Sequence, residues 1–133
     1  MKRILTITII IAVLAIMPKD TAARVTSPNR PKITRVGLAS WYGHNSPGIQ
    51  KHTANNEIFN DSDLTCAIWG VGFDRKIKVT NLDNGRSIIV RVNDRGPSEQ
   101  HVLGGRIIDL TKAAFEILAP VDQGLVNVEI ELL

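Results

Sequence analysis

The C-terminal residues constrain the fold most. Val126, Val128, Ile130 and Leu132 alternate there with Asn127, Glu129 and Glu131. A period of two puts the apolar side chains on one face of a strand and the polar ones on the other, so the segment needs a core on one side and water on the other. Runs rich in β-branched residues at 77–80 and 88–92 repeat that demand, because such side chains suit a pleated, half-buried surface. Between them lies Asp83-Asn84-Gly85. Asn and Gly both tolerate positive φ, and this predicts a tight hairpin turn. Residues 36–42 form a further candidate strand.

One helix is predicted before the last strand. Leu110, Ala113, Ala114, Ile117 and Leu118 fall on one apolar stripe, with Asp109 or Thr111 as cap and Pro120 beyond the end. A shorter helix is expected over 63–68, capped by Asp61 or Ser62. Short regular strands with one clear helix predict a mainly β fold, a compact closed or nearly closed barrel.

The 133 residues, 44% of them apolar, support one domain with a single core. Lys2 and Arg3 precede an apolar run over residues 4–17, and Thr21-Ala22-Ala23 follows it. That is the anatomy of a signal peptide over residues 1–23, and the run is too short for a comfortable membrane span. Residues 24–35, which include Ser27-Pro28-Asn29-Arg30-Pro31, read as a linker, and residues 36–133 as the domain. Setting aside the leader's three basic residues and one acidic residue from the chain's 16 and 13 leaves a domain near +1. With 5% aromatics, it has neither the basic stripe nor the stacking platform of a nucleic-acid binder. The one cysteine, Cys66, sits in an apolar run and reads as a buried thiol. No cysteine near the leader's end offers a lipid-attachment point. The expectation is an exported, periplasmic or secreted monomer that is not lipid-anchored.

Asp94 is the leading candidate for chemistry, because it ends a strand expected to be buried and precedes Arg95-Gly96-Pro97. A carboxylate there is partly desolvated, which raises its pKa, while Arg95 can lower it. The alternative is an aspartate that only bonds local turn amides. Glu57 is a second acid, read either as a loop glutamate or as a partner that meets Asp94 across one groove, as glycosidic cleavage commonly needs. His44, His52 and His101 lack the spacing of a metal site, so no metal or cofactor is expected. Trp41, Tyr42 and Trp69 are read either as core or as sugar-stacking surfaces, with Trp69 the more core-like of the two tryptophans.

Five segments in order resemble the rare lipoprotein A (RlpA) family. They are Gly37-Leu38-Ala39-Ser40-Trp41-Tyr42-Gly43, Thr53-Ala54-Asn55-Asn56-Glu57, residues 77–87, Val92-Asn93-Asp94-Arg95-Gly96-Pro97 and Gly105-Arg106-Ile107-Ile108-Asp109-Leu110. The resemblance implies a six-stranded double-psi β-barrel with one or two short helices. It also implies endolytic lytic transglycosylase activity on peptidoglycan glycan strands, leaving 1,6-anhydro-muramyl ends. Asp94 would then be general acid and base and Glu57 its partner. Ser40, Trp41, Tyr42, Asn55 and Asn93 would line the groove, and Arg95 would orient Asp94 or a sugar hydroxyl. Division or cell-envelope proteins are the implied protein partners. Ile68 stands where the family often has a histidine, which favours the alternative of a non-catalytic, expansin-like glycan-binding module. Asn56 replaces a family glycine, and the stretch from Gly43 to Thr53 is longer than the family pattern.

Overall fold

The computed structural model describes residues 31–133, which form a single unit. The expected signal peptide and most of the expected linker lie outside the described residues. Six strands close a barrel in the order β1-β5-β2-β4-β3-β6. These strands are β1 Thr34–Tyr42, β2 Thr65–Ala67, β3 Lys76–Asn81, β4 Ser87–Asp94, β5 Arg106–Thr111 and β6 Val126–Leu132. The pairs β1/β5 and β2/β4 are parallel and the other four antiparallel. Parallel neighbours need long crossover connections, and two of them within one six-stranded ring make the double-psi barrel. Thr34 and Arg35, read as the end of the linker, already pair with Glu131 and Ile130 in β1.

Alternation fills the barrel. Val126, Val128 and Ile130 of β6 are buried, as are Ile77 and Val79 of β3 and Ile88, Val90 and Val92 of β4. Phe115 and Leu118 close the core from outside the sheet. Cutting Phe115 to alanine would cost about 3–5 kcal/mol, as expected for an aromatic lost from a packed interior. Cys66 is fully buried, and burial pushes its thiol up to about 12.

The expected helix over 63–68 is a correction. Thr65, Cys66 and Ala67 form strand β2, bridging β4 and β5. Three fully buried residues whose backbone closes the ring follow the sheet rather than local preference. The main helix, α2 Lys112–Leu118, is shorter than its predicted stripe: Leu110 belongs to β5 and Ile117 is 45% exposed, while Ala114, Phe115 and Leu118 face the core. Thr111 occupies the cap position without bonding the helix; its hydroxyl donates to the Asp63 carbonyl at 2.5 Å. A second short helix, α1 Glu99–Leu103, follows β4.

The β3–β4 hairpin forms, but only Gly85 takes positive φ, and the loop is longer than a two-residue turn. Its asparagines have a further task. Asn81 and Asn84 both donate side-chain N–H to the Leu118 carbonyl, at 3.0 and 2.8 Å, satisfying the end of α2.

Candidate active site

β4 and β5 each carry an acid to one open groove. Ile108 and Leu110 point into the core, so the pleat turns Asp109 to the opposite face. Asp94 ends β4, where Ala67 of β2 pairs with it. The groove has a cavity volume of about 670 Å³, within the range of small-ligand sites. Ser40, Trp41, Tyr42, Arg95, Asp94 and Asp109 are among the residues that line it.

The two acids are held differently. Oδ1 of Asp94 accepts the backbone N–H groups of Ala54 at 3.0 Å and Arg95 at 2.8 Å, which fixes the carboxyl's orientation. Asp109 accepts a short hydrogen bond from the Ser40 hydroxyl. Burial pushes its pKa up, and the nearby charge of Asp94 adds to the rise. Ser40, Arg106 and His101 oppose it. Tyr42 stacks on Phe59 with ring centres 5.1 Å apart, and its buried hydroxyl has no protein partner. Burial, followed by the charge of Asp94, pushes its pKa far above the usual phenol range, so it stays a donor.

Glu57 does not share this setting. The Arg91 guanidinium grips its carboxylate bidentately, with Nη1 2.5 Å from Oε1 and Nη2 2.9 Å from Oε2. Asn55 donates to Oε1 at 2.8 Å and Asn93 to Oε2 at 3.2 Å. These bonds, with Arg91 the largest contributor, bring Glu57 down to about 2. Glu57, Asn55 and Asn93 are absent from the groove lining. The three residues brace the 53–57 loop, whose Thr53 and Ala54 line the groove beside Asp94. The Asn55 N–H donates to the Asn93 carbonyl at 3.2 Å, so the network clamps the 53–57 loop to β4 and delivers the Ala54 N–H to Asp94.

Arg95 lines the groove, but its guanidinium bonds the carbonyls of Ile68 and Asp94 and covers the Phe73 ring at 3.9 Å. It is the backbone N–H of Arg95 that orients the Asp94 carboxylate. Ile68 is buried in the core. Trp41 packs against the core while lining the groove, with its indole N–H donated to the Val121 carbonyl at 2.9 Å. Asn56 takes positive φ, 70°, as a residue standing for glycine should. The extended 43–53 stretch forms one wall, to which Pro47, Ile49 and His52 contribute, and His101 and Arg106 also line the groove. His44 instead sits 3.4 Å from Asp61.

Asp109 lines the groove from a strand, although its place before the helical stripe also suits a cap; the alternation of Ile108 and Leu110 around it marks the strand. Gly96 lets the backbone pass close to the site: a Cβ there would lie a tight 3.2 Å from Oδ2 of Asp109 and 3.4 Å from Cβ of Ala67.

Residues 34–130 match the family described as lytic transglycolase, whose domain is the double-psi barrel. The chain belongs to this family. Among similar proteins, the probable endolytic peptidoglycan transglycosylase RlpA of Synechocystis sp. is 44% identical over 97 residues, covering 72% of this chain and 28% of that protein. Endolytic peptidoglycan transglycosylase RlpA of Rickettsia typhi is 43% identical over 112 residues, covering 83% of this chain and 34% of its own length. The chain thus spans about a third of the length of these relatives. Among solved structures, Streptomyces papain inhibitor matches with a TM-score of 0.61 and 25% identity, covering 79% of this chain and 99% of that one. An expansin of Clavibacter michiganensis matches with a TM-score of 0.58 and 17% identity, over 76% and 50% of the two chains, a likeness of fold alone.

Proposed function

We propose that this lytic transglycolase domain is an exported enzyme that cleaves peptidoglycan glycan strands to 1,6-anhydro-muramyl ends. The observation that carries the reading is the pair Asp94 and Asp109 on one open groove, with Asp109 desolvated. The RlpA relatives of that name support the substrate class, and the leader-like pattern of residues 1–23 supports export.

In this mechanism Asp109 is the proton donor, a role favoured by the burial that raises its pKa. It protonates the glycosidic oxygen as the bond to the anomeric carbon breaks. Asp94, as carboxylate, faces the positive charge that develops on the sugar ring. The substrate's own C6 hydroxyl then bonds to the anomeric carbon, and its proton goes to Asp109, restoring the starting state. The proton has moved from O6 to the leaving oxygen, and no water is consumed. Ser40 positions Asp109. Glu57 is a positioning residue, acting through Asn55, Asn93 and the Ala54 N–H. This moves the acid role from Asp94 to Asp109, and Asp94 remains the charged partner.

The test is digestion of purified sacculi and of peptide-free glycan strands, with products weighed by mass spectrometry. Anhydro-ended fragments from wild type, and none from Asp94→Asn or Asp109→Asn, are expected. A wild type that pellets with the wall yet yields no such fragments is a binding module, and the reading fails.

A further inference from the structure

Trp69 is 53% exposed, although its setting in the sequence suggests a core residue. Large aromatics are usually well buried, and a single exposed one needs no explanation of its own. What sets Trp69 apart is how firmly it is held. Its indole N–H donates to the Pro97 carbonyl at 2.7 Å, so the polar edge is already satisfied. The backbone just before it is tied to the catalytic strand. The Ile68 N–H donates to the Asp94 carbonyl at 3.3 Å, and the Ile68 carbonyl accepts from Arg95 at 3.2 Å. A ring fixed at its edge and at its backbone presents apolar surface with little rotamer entropy left to lose on binding.

Its position joins that surface to the groove. Ala67, which lines the groove and pairs with Asp94, is two residues away, at most roughly 7 Å of chain. Pro97, its hydrogen-bond partner, lies between Gly96 and Ser98, both of which line the groove. Arg95, also in the lining, lies over Phe73, which is 37% exposed. Trp69 therefore stands beside the Gly96–Ser98 lip, just outside the groove lining.

We propose that Trp69 is a sugar-stacking platform that extends the groove by one subsite and takes the C–H face of a pyranose in a glycan strand. Pyranose rings offer a flat apolar face edged by hydroxyls, and an aromatic ring of fixed orientation matches it. The inference rests on the glycan-strand reading of the groove. The subsite lies beyond the reacting acids, so it contributes to binding of long strands and not to the chemical step.

The experiment measures affinity for peptide-free glycan strands and for a disaccharide fragment of the same glycan, in an Asp94→Asn/Asp109→Asn background. Trp69→Ala is expected to weaken long-strand binding about tenfold and to leave disaccharide binding unchanged. Trp69→Phe, which keeps a ring but loses the bond to Pro97, is expected to retain most of the affinity. If Trp69→Ala changes neither ligand, or weakens both equally, the platform is refuted. Equal losses from Ala and Phe would assign Trp69 to pinning the Pro97 loop and would likewise overturn it. Failure of the cleavage reading is seen separately, as wild type that binds strands but releases no anhydro ends.

Discussion

The domain holds two acidic clusters on neighbouring elements, and they are built to opposite ends. At Glu57 the carboxylate meets a bidentate guanidinium and two amide donors, and Arg91 also reaches Asp74 at 2.9 Å. Every lone pair has a partner and the charge is balanced, so the group is pinned in its ionised form. At Asp109 the carboxyl is partly buried near a second acid and takes a hydroxyl donor in place of a cation's fork. The charge there is costly, and the proton is correspondingly easy to hold and to pass on. The lesson is that partner and solvent, not the presence of a carboxylate in a family motif, decide which way a carboxyl's pKa moves.

Replacing acids in the two clusters should break the comparison most sharply. Asp109→Asn and Asp94→Asn keep their size and an acceptor oxygen, and each is expected to lower the rate of anhydro-product formation by about 100-fold or more. Glu57→Gln is expected to lower it by about tenfold, through slack in the 53–57 loop, without moving the pH profile. Equal losses at Glu57 and Asp109, or a displaced acid limb for Glu57→Gln, would dissolve the distinction.

Gly96→Ala sharpens it from the packing side. The new Cβ presses on Asp109 Oδ2 while the barrel core is untouched. Activity should fall about tenfold, and the melting temperature should fall as well, because a side chain at this φ of 159° is strained, both measured on the same preparation.

The smallest effects are on stability against pH, and the two clusters should differ in sign. Glu57 is lowered in the fold to about 2, so its contribution is full above the ordinary carboxylate range and is lost as pH falls toward 2. Asp109 is raised in the fold, so the native state binds the extra proton, and stability falls as pH rises from the ordinary aspartate value through the raised one. Melting curves should therefore show Asp109→Asn more stable than wild type at neutral pH, with the gap closing in acid. Glu57→Gln should be less stable at neutral pH, with its gap closing at low pH. Matching signs would refute the contrast.

Much of the barrel was legible in the chain. The alternation over 126–132 and the β-branched runs around Asn84-Gly85 located β6, β3 and β4, because burial of one face imposes period two on any sequence that satisfies it. The ordered motifs located the groove through Ser40, Trp41, Tyr42, Asp94 and Arg95, since turn and strand-end residues are local features. Local preference failed at Thr65–Ala67, where ring closure between β4 and β5 made a strand. It also failed at Ile117, which is left exposed while Phe115 packs into the core.

The sequence by itself determined a β-rich chain with a closed core and a polar edge at the end of β4. Only the tertiary structure decided how each acid is partnered, which tryptophan faces solvent and where Ile68 packs. Those answers depend on burial and on partners far along the chain. Arg91 reaches Glu57, Ser40 reaches Asp109 and Pro97 receives the Trp69 indole, and neither a carboxyl's pKa nor a ring's exposure exists until such groups meet.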